Sequence, residues 1–225
     1  MRGYGQFCPV AKACELLAER WTLVIVRELV SGGKRFNDIR RGVPLISPSL
    51  LSKRLEEMTA AGVIRRVKGK RGAEYDLTAA GEELRPIVEL IGVWGQKWAP
   101  SRFGSDDLDV SLLMWDLQRT VDPTRFPPGR WVVNFRFSDG LPKKRSFWVI
   151  NEEGTVDLCL TDPGFDIDLT IVSDVESMTR VWLGDLPLDR AVADGLVIVE
   201  GDKMLRQRFR AWLRLSPFAA IRPAA

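Results

Sequence analysis

The chain has 225 residues, of which 45% are hydrophobic, and its 33 basic and 30 acidic side chains give a net charge of +3. It contains no histidine. Catalytic triads with a histidine base, two-histidine metal centres and Cys₂His₂ zinc fingers are therefore excluded, because each needs an imidazole. We expect a protein that is not an enzyme and that carries no metal or other cofactor.

The length allows one or two domains, each with its own hydrophobic core. No segment approaches the run of roughly 18 apolar residues that a membrane helix needs, and the N-terminus lacks the apolar core of a signal peptide. The three cysteines, Cys8, Cys14 and Cys159, do not have the spacing of metal ligands and fit a reducing compartment better than a disulfide framework. We expect a cytoplasmic protein without membrane contact.

The basic residues are concentrated in the first half of the chain. Residues 1–100 contain 17 Lys or Arg against 11 Asp or Glu, whereas residues 101–225 contain 16 against 19. Between Lys34 and Arg71 there are 11 basic residues and only three acidic ones. Such an excess is typical of a surface that binds a polyanion, although an ordinary solvated basic face would give the same count.

Several short helices are predicted before residue 62. Pro9 suits the first position of a helix, and Gly32-Gly33 ends a second, apolar helix that begins near Trp21. A third short helix begins near Phe36 and ends at Gly42. The first half of the chain is therefore predicted to be rich in helix.

A fourth helix is predicted to begin at Ser47-Pro48, where a serine cap precedes a proline, and to run towards Ala61. Its Leu51, Leu55 and Met58 follow helical spacing and should be buried, which places small polar and basic residues on the opposite face. A helix of this kind matches what the major groove of DNA admits, and the alternative is an ordinary surface helix.

A basic hairpin is predicted to follow. Residues 63–67 and 73–77 are strand-like and flank the segment Lys68-Gly-Lys-Arg-Gly, and Thr78 then caps a last helix that runs towards Trp98. Helices, a groove-facing helix and a two-stranded basic hairpin, in that order, describe a winged helix-turn-helix domain.

Residues 7–98 resemble the HxlR-type transcriptional regulators. The resemblance is carried by Cys8-Pro-Val, Glu19-Arg-Trp-Thr, Arg35-Phe-Asn-Asp-Ile, Ile46-Ser-Pro-Ser-Leu-Leu-Ser-Lys-Arg-Leu, Gly62-Val-Ile and Tyr75-Asp-Leu-Thr-Ala-Ala-Gly. It implies a homodimer, paired through the first and last helices, that binds a palindromic operator in double-stranded DNA. We expect a repressor.

The candidate DNA-binding residues fall into three groups. On the fourth helix they are Ser47, Ser49, Ser52, Lys53 and Arg54, of which Arg54 could reach either a base or a phosphate. At the tip of the wing they are Lys68, Lys70 and Arg71, and near the DNA backbone they are Arg35, Arg40 and Arg41.

Cys8 is a candidate redox sensor. It precedes a helix start and lies one turn before Lys12, and both features favour a thiolate. Some members of the family sense oxidants through an N-terminal cysteine, and Cys8 matches that position. The alternative is a small residue packed in a dimer interface.

The second half of the chain has a different pattern. After a linker at residues 99–107 and a helix, residues 131–137, 146–151, 154–160, 165–172 and 196–200 read as strands whose alternation predicts a half-buried antiparallel sheet. Trp182-Leu-Gly-Asp and Val197-Ile-Val-Glu-Gly-Asp, with the order of elements, are similar to sterol-carrier-protein-type domains. This resemblance implies an α+β domain with an apolar cavity, and the candidate lining residues are Trp115, Trp131, Phe135, Trp148, Met178, Trp182 and Trp212.

The sequence thus predicts a winged helix-turn-helix domain for DNA binding and dimerisation at residues 1–100 and a sterol-carrier-like α+β domain at residues 105–220. The predicted function is a dimeric transcriptional regulator whose C-terminal domain binds a small apolar or lipid-like ligand or aids assembly. Two alternatives remain open. One is a lipid carrier or accessory protein in which the first half mainly dimerises, and the other is a thiol-based regulator that acts through Cys8.

Overall fold

The computed structural model describes residues 3–70, 72–99, 107–140 and 144–224. The chain divides into two compact units, Met1–Trp94 and Gly95–Ala225, and each has a hydrophobic core of its own. Within the described ranges, no helix combines the length and the apolar character that crossing a membrane requires.

The N-terminal unit contains helices on either side of a two-stranded hairpin, as predicted. The elements are α1 (Pro9–Leu17), α2 (Thr22–Val30), α3 (Phe36–Gly42), α4 (Pro48–Ala60), β1 (Ile64–Gly69), β2 (Gly72–Leu77), α5 (Ala79–Glu82) and α6 (Arg85–Trp98), and α6 continues past the boundary at Trp94. The predicted last helix is divided in two. Thr78 caps only the short α5, through a hydrogen bond of 3.2 Å from the Gly81 N–H to its Oγ1, and α6 begins afresh at Arg85.

The core of this unit confirms the predicted orientation of α4. Leu51, Leu55 and Met58 are each at most 1% exposed and pack with Ile25 and Ile39 of the preceding helices. The start of α4 is also as predicted, because Ser47 Oγ accepts a hydrogen bond of 3.3 Å from the Leu50 N–H and a proline follows it. The apolar row therefore fixes which side of α4 faces solvent.

The C-terminal unit is an α+β structure with one five-stranded sheet. Its helices are α7 (Val110–Thr120), α8 (Val175–Leu183), α9 (Leu188–Ala193), α10 (Lys203–Gln207) and α11 (Phe209–Trp212). Its strands are β3 (Trp131–Phe137), β4 (Ser146–Glu152), β5 (Thr155–Cys159), β6 (Leu169–Ser173) and β7 (Val197–Gly201).

The sheet is mixed, so the prediction of a purely antiparallel sheet was wrong. The strand order is β5-β4-β3-β6-β7, and β6 runs parallel to β3 while the other neighbouring strands are antiparallel. Alternation of apolar and polar residues reports which face of a sheet a side chain occupies, but it carries no information about the direction of the neighbouring strand.

The strand predicted from Phe165 begins four residues later, at Leu169. Phe165 and Ile167 are exposed, and the guanidinium of Arg130 lies 4.2 Å from the centre of the Phe165 ring. Asp168 fixes the entry into the strand, because its carboxylate accepts a hydrogen bond of 2.7 Å from the Val132 N–H. The alternating pattern therefore extends into a surface loop that does not pair.

One face of the sheet packs against the helices. Phe135 and Ile171, at neighbouring positions of β3 and β6, contribute to a core that includes Met178 of α8. At the far side of this core Trp212 is fully buried, with ring centroids 5.0 Å from both Phe126 and Phe209. The aromatic residues of this region are thus mainly packing residues.

Asp122 links two distant parts of this unit. Its side chain is 7% exposed and accepts hydrogen bonds from the Thr124 hydroxyl at 2.6 Å and from Arg214 Nη2 at 2.5 Å, and Arg125 Nε lies 3.6 Å away. The Thr124 hydroxyl and then the Arg214 guanidinium lower the pKa of Asp122 to about 2. The carboxylate form is therefore favoured by the folded chain.

Replacing Asp122 with asparagine is expected to destabilise this unit at neutral pH. Because the pKa of Asp122 in the folded chain lies below its ordinary value of 3.8, the contribution is complete above about pH 4 and is lost as the pH falls towards 2. Unfolding curves from pH 2 to 7 should show a smaller acid dependence for Asp122→Asn than for the unaltered chain. The exposed Asp166 provides the control, since Asp166→Asn should leave the acid dependence unchanged.

Candidate nucleic-acid interface

The solvent face of α4 presents small polar and basic side chains. Ser49, Ser52 and Lys53 are exposed, and they lie opposite the buried Leu51 and Leu55. Lys53 Nζ lies 3.9 Å from Glu57 Oε1 at the outer limit of an ion pair, so its ammonium group keeps donors for another acceptor. Glu56 is exposed on the same side of the helix, so the face combines two serines and a lysine with one carboxylate.

Ser47 has a structural role at the start of α4. Its Oγ accepts the hydrogen bond from the Leu50 N–H and lies 3.2 Å from Ser49 Oγ. Its hydroxyl is exposed, but the cap already uses one of its acceptor positions. Ser47 therefore defines where the helix begins, and Ser49 is the first side chain of the exposed face.

The structure places Arg54 inside the unit and not on the exposed face. Arg54 is 9% exposed, and its guanidinium donates to Glu19 Oε2 at 2.6 Å, to Glu57 Oε2 at 2.5 Å and to the Arg20 carbonyl at 3.2 Å. A guanidinium in this position does not reach a base or a phosphate, so we remove Arg54 from the candidate DNA contacts. Helical spacing did not predict this burial. A buried arginine needs ion-pair partners, and spacing does not show where those partners lie.

The predicted basic hairpin is present as a wing. β1 and β2 pair in antiparallel register with Gly69 opposite Gly72. Lys68 and Lys70 are exposed, and Arg71 lies outside the described residues. A Cβ at Gly69 would overlap the present position of the Glu74 side chain, which would have to move.

The base of the wing is held by the segment before α3. The Tyr75 N–H donates to the Lys34 carbonyl at 2.8 Å, and Arg35 forms an isolated bridge with Glu74. Lys34 Nζ also contacts Asp76 Oδ1 at 2.9 Å, and this contact raises the pKa of Lys34. The connection fixes the wing relative to α3, as a rigid DNA-binding surface requires.

The remaining predicted basic residues lie around α3. Arg35 is half-buried at the N-cap position, whereas Arg40 and Arg41 are exposed in the last turn. Two further basic residues were missed by the prediction. Arg65 and Arg66 of β1 are both exposed. The sequence contains the signal for them, because both lie in a predicted strand within the basic segment between Lys34 and Arg71.

Cys8 occupies the predicted place directly before α1. It is the N-cap residue, is half-buried, and makes no capping hydrogen bond through its side chain. The ammonium group of Lys12, one turn later, contacts the Glu15 carboxylate at 3.0 Å. Redox sensing by Cys8 stays a prediction.

The seven residues predicted to line an apolar cavity differ in how deeply they are buried. Phe135, Met178 and Trp212 are at most 1% exposed and belong to the packed core. Trp148 lies opposite Asn134 on the neighbouring strand, so it occupies the other face of the sheet from Phe135. Their lining of an apolar cavity stays a prediction.

The other three predicted residues are half-buried, and Trp131 and Trp182 pack against the same core. Trp131 Nε1 donates to the Pro127 carbonyl at 2.9 Å, the Arg119 guanidinium lies 5.1 Å from the Trp115 ring, and Trp182 Nε1 lies 3.4 Å from Thr120 Oγ1. A surface groove of about 600 Å³ exists between α9, β7 and the last two helices. It is lined by Leu188, Asp189, Val192, Ala193, Val199, Arg206, Gln207, Phe209 and Arg210 and contains none of the seven.

Comparison with known proteins identifies the N-terminal half. A family model for an HxlR-like helix-turn-helix matches residues 16–103. The uncharacterized HTH-type transcriptional regulator YvaP of Bacillus subtilis is 35% identical over 103 residues, which cover 44% of this chain and 95% of that protein. The uncharacterized HTH-type transcriptional regulator sll1512 of Synechocystis is 30% identical over 97 residues, which cover 42% of this chain and 72% of that protein.

Among solved structures, the reduced form of the B. subtilis transcriptional regulator YodB has 29% sequence identity and a TM-score of 0.36, and the match covers 40% of this chain and 93% of that one. Through residues 16–103, the chain belongs to the HxlR-like helix-turn-helix family of DNA-binding transcriptional regulators.

Proposed function

We propose that the protein is a homodimeric repressor that binds a palindromic operator, with α4 in the major groove and the wing on the DNA backbone. The observation that supports this most directly is the exposed face of α4 with Ser49, Ser52 and Lys53, in a unit that also exposes basic residues on α3 and β1. Small polar and cationic side chains on one face of a helix suit base edges and phosphates together.

The proposed dimer interface uses α1 and α6. No residue of α6 is buried. The large apolar side chains of Leu90, Trp94 and Trp98 on this helix are 67%, 62% and 55% exposed. Phe7 and Val10, at the start of α1, are 99% and 70% exposed. Leu90, Trp94 and Trp98 recur every four residues and so share one side of α6, where an exposed apolar surface favours an interaction site. A second copy of the chain is the partner that the family resemblance implies.

The C-terminal unit is proposed as the regulatory part, either through a small apolar ligand or through assembly. A ligand can change DNA binding only if it prefers one of two arrangements of the dimer. Native mass spectrometry of the untreated protein tests this, because it reports the oligomeric state and any retained ligand together. A dimer of apoprotein alone would contradict the ligand and leave assembly as the role of this unit.

Changing Lys68 and Lys70 of the wing to alanine is expected to weaken DNA binding and to reduce its salt dependence. Each phosphate contact that is lost should lower the slope of log K against log salt by roughly 0.9, because fewer counterions are released on binding. The measurement is a salt titration of binding to a 30-base-pair duplex.

The control for the wing variant is Lys203→Ala, which removes an exposed lysine from α10 of the other unit. It should leave the slope unchanged. A wing variant with the slope of the unaltered protein would show that the wing does not touch the DNA backbone.

A further inference from the structure

Arg54 connects the DNA-facing helix to another part of the unit. Its three acceptors come from two places, because Glu57 is on α4 itself whereas Glu19 and the Arg20 carbonyl belong to the connection between α1 and α2. We name Arg54, Glu19 and Glu57 the Arg54 clasp. The Arg54 clasp is a buried polar contact of α4, and its hydrogen bonds have defined directions.

The connection that receives Arg54 is itself tightly constrained. Trp21 has a φ of 82° in the left-handed region, which is costly for a bulky side chain and persists only where the surroundings enforce it. The Arg20 guanidinium lies 4.7 Å from the Trp21 ring, and the Thr22 N–H closes a turn on the Glu19 carbonyl at 3.1 Å. The acceptors for Arg54 therefore have a fixed position.

Apolar contacts fix which side of α4 is buried but specify small rotations about its axis only weakly. Leu51, Leu55 and Met58 bury one side of the helix, but the hydrophobic effect is non-directional and tolerates small rotations about the helix axis. A guanidinium with planar, fixed donors requires its acceptors in defined directions. The clasp thus fixes the rotation and the axial position of α4.

The clasp also touches the exposed face through Glu57. This carboxylate accepts from Arg54 Nη1 and lies 3.9 Å from Lys53 Nζ. A shift of Arg54 would move the Glu57 carboxylate. This carboxylate lies next to Lys53, which is the basic side chain on the groove-facing surface of α4. The position of the buried arginine and the presentation of the exposed lysine are therefore linked.

We propose that the Arg54 clasp positions α4 for sequence-specific DNA binding, so that Arg54 is a positioning residue and not a DNA contact. This rests on the proposed DNA-binding function of α4. Non-specific binding depends on charge and tolerates a rotated helix, whereas specific binding needs side chains aligned with base edges. The clasp should therefore control the ratio of specific to non-specific affinity.

The test compares two duplexes, one selected from a random pool by the unaltered protein and one with the same composition in scrambled order. Arg54→Gln and Glu19→Gln should each lower the ratio of the two affinities by at least about tenfold, the factor that one lost base contact carries. The two variants change the net charge in opposite directions, so a common effect cannot come from long-range electrostatics. Arg54→Lys should restore little of the ratio, because an ammonium group cannot hold three acceptors in fixed directions.

Lys53→Gln is the matched control, since it removes the neighbouring charge from the exposed face. It should weaken binding to both duplexes and reduce the salt slope by roughly 0.9, whereas the Arg54 and Glu19 variants should keep the slope. An Arg54→Gln variant with a reduced slope would make Arg54 a phosphate contact and overturn the proposal.

Unchanged affinity ratios would overturn the proposal equally. Circular dichroism shows whether each variant is folded. If Arg54→Gln is unfolded, Glu19→Gln provides the test, because Glu19 is one-third exposed and glutamine keeps an acceptor at that position. If the unaltered protein binds no duplex, the proposed function fails, and the role of the clasp fails with it.

Discussion

Gly42→Ala is expected to destabilise the N-terminal unit by about 3 to 5 kcal/mol, the range measured when a buried ion pair is broken. A Cβ at this position would overlap the carboxylate of Glu28, which is fully buried. That carboxylate accepts a hydrogen bond of 2.6 Å from Arg27 Nη2, and the same nitrogen donates to the Gly42 carbonyl at 2.7 Å. The added methyl group must therefore displace either the end of α3 or the buried ion pair.

The measurement is amide hydrogen exchange under native conditions, which separates the opening of this unit from that of the other. Gly95→Ala is the matched control, because Gly95 lies in α6 and a Cβ there meets no atom within 4 Å. It should be neutral or stabilising by up to about 1 kcal/mol, since alanine is the better helix former. Equal exchange rates in Gly42→Ala and the unaltered chain would show that the pocket around Glu28 can expand.

Coupling between Glu28 and Gly42 gives a second readout. Glu28→Ala alone should destabilise the unit, because it leaves the half-buried Arg27 without this carboxylate. In the double variant the methyl group of residue 42 occupies space that the carboxylate has vacated. The combined loss of unfolding free energy should therefore be smaller than the sum of the two single losses.

The sequence predicts the N-terminal unit well because its signals are local. Pro9 and Ser47-Pro48 mark helix starts where the structure has them, and Gly69 and Gly72 pair at the end of the predicted hairpin. Each of these signals acts through the backbone of its immediate neighbours, so no knowledge of distant contacts is needed.

Glu28 and Arg54 show where local reasoning ends in this unit. Both are charged residues within helices, and the sequence gives no reason to place them in the interior. Their burial depends on partners such as Glu19, 35 residues from Arg54, and Gly42, 14 residues from Glu28. A surface position and a buried ion pair look alike in a helical pattern, so the DNA contact expected of Arg54 could not be tested without the fold.

The C-terminal unit was predicted less completely because its organisation is non-local. Alternation located the strands and the inward-facing Val133, Phe135 and Phe137. It does not show that the chain returns after the β4–β5 hairpin to the other side of β3, where β6 pairs with β3 in parallel. A cavity is also a property of packing. Trp212 and Met178 are buried in the core, and alternation reports such burial without reporting the space between side chains.

Replacing Leu90 and Trp94 together with alanine is expected to raise the dissociation constant of the proposed dimer by at least about 100-fold. Exposed aromatic and large aliphatic residues at the centre of an interface each contribute roughly 2 kcal/mol or more when removed. Both side chains are more than 60% exposed within one chain, so the variant should keep its folding stability while it loses association. Sedimentation velocity over a range of protein concentrations measures the shift from dimer to monomer.

Loss of the dimer should lower the affinity for DNA, and the loss should depend on the number of half-sites in the duplex. A duplex with two half-sites binds a dimer with the combined contacts of both α4 helices, whereas a single half-site needs only one copy of the chain. The Leu90 and Trp94 variant should therefore lose affinity for the palindromic duplex and keep its affinity for the half-site. Glu89→Ala, which removes an exposed neighbour on α6, should alter neither. A variant that remains dimeric would exclude this part of α6 from the interface and direct the search to α1.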